Sequence, residues 1–206
     1  MNYLDLFRTS GALLEGHFRL SSGLHSGRYL QSALVLQHPE HAAVLGAAIA
    51  DRVRELNVNV VLSPALGGIV IAHEVARALG VRAIFAERQD GRLMLRRGFT
   101  MSPADRVLVV EDVITTGGST VETIDVAEAA GAKVRAAAAI IDRGDGAARV
   151  RVPLFPLVKL EVPTYQPDAC PMCAKGEAVV KPGSRPASVK SQLPTPNSQN
   201  SQQKEL

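Results

Sequence analysis

The sequence predicts an α/β protein, a central and mostly parallel sheet with helices on both faces. Short, almost wholly apolar runs of strand length alternate with stretches whose apolar residues recur every three or four positions, the mark of strand and amphipathic helix in turn. Two of these runs lead into glycine pairs that open a helical stretch, Gly67-Gly68 and Gly117-Gly118. A chain of 206 residues, 46% of them hydrophobic, can bury one ordinary core, and a second full domain is not expected.

Along residues 39–56, Leu45, Ile49, Val53 and Leu56 are spaced by four, four and three, which places them on one face of a helix. Residues 58–62 read as a buried strand, residues 64–68 as a turn, and Ile71, Val75 and Leu79 as the inner face of a second helix closed by Gly80. The alternation continues with strands over residues 81–87 and 107–110, a helix after Ser119, and a strand over residues 134–141. Between residues 88 and 103 the periodicity lapses, and Arg88, Arg92, Arg96 and Arg97 are spread among glycines. A basic excursion of that length reads as a mobile hairpin with a function, or as a solvated surface hairpin. Residues 183–206 are Ser, Gln, Asn, Pro and Lys with almost nothing to bury, and are expected to be disordered.

Composition narrows the partners. The apolar runs stop short of a membrane span, and Met1-Asn2-Tyr3-Leu4-Asp5 has no basic region followed by an apolar stretch, so a cytoplasmic protein without membrane attachment is expected. A net charge of +3, part of it in the tail, argues for a small polyanionic ligand as well as it would for nucleic acid, which is not expected as a partner. The only two cysteines, Cys170 and Cys173, are spaced C-x-x-C. They read either as a surface turn with two reduced thiols or as a zinc half-site whose other two ligands would come from a second copy of the chain.

The chemistry is concentrated in residues 107–120. A wholly apolar strand leads to Glu111-Asp112, then to Val113-Ile114-Thr115-Thr116-Gly117-Gly118-Ser119-Thr120 and a helix start. Ser119 and Glu122 have capping-box spacing and Gly131 ends the helix, so the turn is expected at a helix N-terminus, where free N–H groups and the helix dipole favour an anion. The glycines let backbone approach a phosphate closely, and the hydroxyls add donors. Two carboxylates beside a phosphate need neutral hydroxyl partners. A ribose offers two, with Mg2+ bridging sugar oxygens and a pyrophosphate.

This stretch resembles the phosphoribosyl-pyrophosphate motif of type I phosphoribosyltransferases. It is not the lysine-bearing nucleotide loop, since no G-x-x-x-x-G-K precedes the helix. Residues 16–23 (GHFRLSSG), residues 26–30, Ile140-Ile141-Asp142-Arg143, the C-P-x-C segment and the K-P-G-S-R run at residues 181–185 are similar to orotate phosphoribosyltransferases. The resemblance reaches most of residues 1–182. It implies the type I fold with a hood over residues 1–36, a flexible basic loop over residues 88–103 and a cysteine-containing segment over residues 164–182. It further implies that residues 111–119, Gly67 and Arg88 bind the donor, phosphoribosyl pyrophosphate. Thr115, Arg143, Ser22, Gly23 and Tyr29 would meet orotate, with Glu111, Asp112, Arg96 and Arg97 central to catalysis. A guanidinium such as that of Arg143 suits a planar carboxylate, and Tyr29 reads equally as base-stacking or as packing. Mg2+, held mainly through substrate, and a homodimer are also implied. Where many family members carry lysines and a loop histidine, this chain has Ser21, Gly67 and four loop arginines, so any loop catalysis is expected to be electrostatic. Two other readings are a phosphoribosyltransferase for another base and a non-catalytic sensor of the donor that binds nucleic acid.

Overall fold

Parallel pairing of the apolar strands sets the architecture. The computed structural model describes residues 2–20, 22–144 and 149–181, so the expectation for residues 183–206 lies outside the described residues. Six strands form the main sheet: β3 (Val60–Pro64), β4 (Arg82–Gln89), β5 (Arg92–Leu95), β6 (Arg106–Ile114), β7 (Lys133–Asp142) and β8 (Leu154–Lys159), in the order β5-β4-β3-β6-β7-β8. All neighbours pair in parallel except β5, which folds back antiparallel on β4.

Side chains alternate across each strand, so the sheet feeds two cores. Val61, Leu108, Val110 and Ala138 face one side, against α3 (Pro39–Val53) and α4 (Gly68–Leu79). Val60, Leu62, Val107, Val109 and Ala137 face the other, against Ile124 and Ala127 of α5 (Gly118–Ala129). Leu45, Ile49 and Val53 of α3 and Ile71 and Val75 of α4 have no exposed surface, and each such side chain contributes about 1.5–3 kcal/mol by leaving water. Leu56 falls on a 3-10 turn after α3 and stays partly buried. Gly80 (φ 71°) and Gly131 (φ 80°) end α4 and α5 in the left-handed region, as their positions in the sequence predict.

A second, three-stranded sheet, β1-β2-β9, joins β1 (Leu13–Arg19) and β2 (His25–Leu30) to β9 (Thr164–Tyr165) from near the other end of the chain. Val180 adds a bridge beside β1: its N–H donates to the His17 carbonyl, and its own carbonyl accepts from the Arg19 N–H, both at 2.8 Å. The short helices α1 (Tyr3–Thr9) and α2 (Ser32–Leu36) close this end onto the first core through Phe7, Val35 and Leu36. Among the described residues no helix is long and apolar enough to cross a membrane.

The motif strand differs from its reading in the sequence. β6 runs to Ile114, four residues past the expected end, because its carboxyl half keeps pairing with β7 (Glu111 with Ala139, Val113 with Ile141). The acidic pair therefore lies within the strand. The expected capping box does not form either. Gly117 (φ 74°) precedes α5 with no side-chain cap, the Ser119 hydroxyl turns back to Glu111, and Glu122 pairs with Arg88 at 3.0 Å.

Candidate active site

Strand order reverses between β3 and β6, since the chain leaves β3 for β4 on one side and reaches β6 on the other. In open α/β sheets that is where a crevice opens at the carboxyl ends of the strands. Here the turn after β3 and the turn after β6 meet. A side chain on Gly67 would sit 2.9 Å from both carboxylate oxygens of Asp112, and one on Gly68 would sit 3.0 Å from the Val110 carbonyl. The close approach to backbone favours glycine at position 68, whereas at position 67 it is the mobile Asp112 carboxylate that a side chain would have to displace.

Because neighbouring residues of a strand point to opposite faces, Glu111 and Asp112 part company. Asp112 faces the crevice. Glu111 is 5% exposed and accepts a 2.6 Å hydrogen bond from the Ser119 hydroxyl. Burial pushes its carboxyl up to about 8, opposed by the Ser119 bond and assisted by the neighbouring Asp112 charge.

The crevice encloses about 630 Å3, a size suited to a small ligand. Its motif wall is Asp112, Val113, Thr115 and Thr116, and the opposite wall comes from the β1-β2 hood, including Ser22 and Tyr29. Gly117, Gly118 and Ser119 follow directly at the start of α5, while the Ile114 side chain is buried in the core and leaves only its backbone for a ligand. Arg143, just past β7, also lines the crevice. Its N–H is fixed by the Ile114 carbonyl at 2.9 Å, and its buried Nε has no hydrogen-bond partner among the described residues. Burial lowers the guanidinium pKa, with a raising contribution from Tyr29. Tyr29 lines the crevice and packs on Phe18 with ring centroids 5.9 Å apart. Gly23 (φ 86°) donates its N–H to the Leu20 carbonyl, so that donor closes a turn.

The hairpin arginines stand apart from the crevice, whose walls include none of them. Arg97 binds both oxygens of Glu87, at 2.7 and 2.8 Å, and this hydrogen bonding holds the Glu87 carboxyl below its usual range. Arg88 meets Glu122. Sequence reasoning missed five polar wall residues, Arg19, Gln31, Ser32, Thr164 and Lys181. Arg19 lies inside the GHFRLSSG run and Lys181 opens K-P-G-S-R, so the quoted motifs held both without assigning them a task. Arg19, Lys181 and Arg143 give the crevice three cations against one carboxylate, Asp112, among the described residues.

Comparison with known proteins reaches the same place. The model of the phosphoribosyl transferase domain matches residues 32–164. Over 187 residues, 90% of this chain and 98% of the relative, the sequence is 52% identical to an orotate phosphoribosyltransferase of Carboxydothermus hydrogenoformans. The chain belongs to the orotate phosphoribosyltransferase family. A relative of the same name from Heliobacterium modesticaldum is 53% identical over 184 residues, covering 88% of this chain and 96% of that one. The crystal structure of orotate phosphoribosyltransferase from Aeropyrum pernix superimposes with a TM-score of 0.66 at 27% identity, over 78% of this chain and 94% of that one. The type I phosphoribosyltransferase fold expected from the motif is therefore the fold observed.

Away from the crevice, the cysteine segment supplies something the sequence did not suggest. Cys170 and Cys173 are free thiols standing beside His17 and His25 of the same chain. The sequence reading named neither histidine as a ligand, since nothing local ties residues near 17 and 25 to residues near 170.

Proposed function

We propose that this crevice transfers ribose 5-phosphate from phosphoribosyl pyrophosphate to a ring nitrogen of orotate, giving orotidine 5'-monophosphate and pyrophosphate, a step of pyrimidine biosynthesis in the cytoplasm. The observation that carries the reading is what lines one crevice together: a glycine turn at a helix N-terminus beside Asp112, and Arg143, whose buried Nε has no partner among the described residues. The backbone of residues 115–119 holds the 5-phosphate, where N–H groups at the start of α5 meet an anion. Asp112 accepts from a ribose hydroxyl, and Glu111, buried on the opposite face of the strand, does not meet the sugar but anchors Ser119 at the start of α5. Arg143 forks onto the orotate carboxylate, with Ser22 and Tyr29 along the ring and Gly67 near the pyrophosphate.

The nitrogen–carbon bond forms at the anomeric carbon as the bond to pyrophosphate breaks; the electron pair leaves with the pyrophosphate, and the proton of the ring N–H is released to the departing pyrophosphate or to water. Arg88, Arg96 and Arg97 stabilise that leaving charge once Arg97 releases Glu87 and Arg88 releases Glu122, and the closing hairpin shuts out water. Hairpin residues of one subunit act at the crevice of its partner in a homodimer. A carboxylate facing open crevice is a fitting donor for a hard cation that takes its remaining ligands from substrate phosphates, so Asp112 would hold Mg2+. Mg2+ bound there supplies positive charge to the departing pyrophosphate.

Release of pyrophosphate on mixing protein, Mg2+, phosphoribosyl pyrophosphate and base tests the reading. Orotate is expected to support turnover, whereas uracil, hypoxanthine and adenine are not. Turnover with one of those bases and none with orotate would overturn the substrate assignment.

A further inference from the structure

Four side chains from two distant parts of the chain converge at one point beside the hood. The ring nitrogens of His17 (Nε2) and His25 (Nδ1) lie 2.8 Å apart. Cys170 Sγ is 3.5 Å from His17 Nε2, and Cys173 Sγ is 3.7 Å from His17 Nε2 and 3.3 Å from His25 Nδ1. All four atoms fall within 4.8 Å of one another. A tetrahedron with zinc bond lengths of about 2.3 Å to sulfur and 2.0–2.1 Å to nitrogen has edges of about 3.3 Å between nitrogens, 3.6 Å from nitrogen to sulfur and 3.8 Å between sulfurs. The four separations to the imidazole nitrogens given above lie within about 0.5 Å of these edges, with the two imidazoles nearer than a bound ion would leave them.

The surroundings fit a metal better than hydrogen bonding alone. His17 Nδ1 lies 2.8 Å from the Glu177 carbonyl, which can only accept, so that nitrogen carries the proton and Nε2 presents a lone pair to the cluster. A backbone carbonyl orienting the far nitrogen is the usual support of a metal-binding imidazole. His17, His25 and Cys170 are 4, 6 and 3% exposed, so these groups have only one another and the Glu177 carbonyl as partners. Without an ion, several lone pairs compete for the few protons among them.

We propose that His17, His25, Cys170 and Cys173 form a structural Zn2+ site that fastens the hood to the C-terminal segment. Two thiolates and two imidazoles in a tetrahedral set favour Zn2+ over harder cations, and four protein ligands leave no open position for catalysis. The half-site read from C-x-x-C is completed within one chain, with no need of a second copy.

The site has a use in the fold. β9, the only strand from the C-terminal segment in the hood sheet, is two residues long and adds little pairing of its own. His17 and His25 bracket the loop that carries Leu20, Ser22 and Leu24 into the crevice, and the segment after Cys173 brings Lys181 to the same crevice through Val180. A metal at this junction ties together both parts of the base-side wall.

The test uses the full chain made without a histidine tag and kept reduced. Metal analysis is expected to find one Zn2+ per chain. After replacement by Co2+, the protein should show the visible bands of tetrahedral cobalt and a near-ultraviolet thiolate-to-metal band. Cys173→Ser, at an exposed ligand, and His25→Asn should each lose metal and thiolate absorption while keeping native far-ultraviolet circular dichroism. A strong zinc chelator should lower the melting temperature of the wild type and leave that of Cys173→Ser unchanged. Reduced wild-type protein that takes up neither ion, or Cys173→Ser that binds Zn2+ as tightly as wild type, overturns the proposal. So does a metal-free protein isolated with a Cys170–Cys173 disulfide that tolerates both substitutions. These readouts stand apart from turnover, so a failed zinc site leaves the transferase reading untouched.

Discussion

Glu111 and Asp112 show how one strand gives two carboxylates different lives. Glu111 is raised to about 8 mainly by burial, so near neutrality the folded protein holds it protonated while the unfolded chain does not. Between the ordinary carboxylate range and pH 8 the folded state therefore binds more protons, and stability falls as pH rises through that window. Glu111→Gln removes the charging cost. Melting curves should show the variant close to wild type at pH 5 and more stable at pH 9, and a difference that stays constant with pH would refute the assignment. Asp112→Asn keeps the shape and loses the charge, and steady-state kinetics should show kcat/KM for the donor falling on the order of 10- to 100-fold, the worth of a hydrogen bond to a charged group. Arg143→Ala should raise KM for orotate by a similar factor, with donor binding measured by calorimetry nearly unchanged. The sequence disclosed the carboxylate pair but not this division, because alternation puts one residue in the crevice only once the strand's true end is known. A reading that stopped β6 at Val110 left both free.

At the scale of elements, periodicity was a good guide wherever burial was one-sided. The stripes of α3 and α4 lie in the core as read. It failed at edges, where long-range pairing decides: β6 gained four residues from its ladder with β7, and Ser119 preferred a buried carboxylate to its own helix terminus. The expected hairpin exists as β4 and β5, turning at Asp90 and Gly91, both with positive φ. One packing constraint left no mark in the pattern. A side chain on Gly46 of α3 would come within 2.6 Å of Glu74 Cβ and 2.8 Å of its carbonyl carbon, backbone that cannot step aside. Denaturant titration of Gly46→Ala should therefore show a loss of about 1–3 kcal/mol despite the better helix propensity of alanine. Unchanged stability would mean that α3 and α4 are packed less tightly.

For the whole molecule, the parts that were hardest to read lie far apart in sequence. Nothing in a single sequence announces that residues near 17 and 25 meet residues near 170, or that β9 extends the hood. The hairpin raises the same issue between subunits. Arg97 is engaged with Glu87 and no hairpin arginine reaches the crevice of its own chain, as expected if the hairpin serves a partner. If the proposed homodimer forms, mixing Asp112→Asn with the double variant Arg96→Ala/Arg97→Ala, each impaired alone, should restore turnover to about a quarter of wild type, because half the dimers are mixed and each has one intact site. No recovery after subunit exchange would place the hairpin's action within its own chain. The central claim, that the turn between β6 and α5 grips the donor's phosphate while Asp112 holds its sugar, is tested most directly by a crystal structure with phosphoribosyl pyrophosphate bound. The 5-phosphate should lie on the N–H groups of residues 116–119 with a ribose hydroxyl on Asp112. A donor seated elsewhere, with that turn left to water, would contradict it.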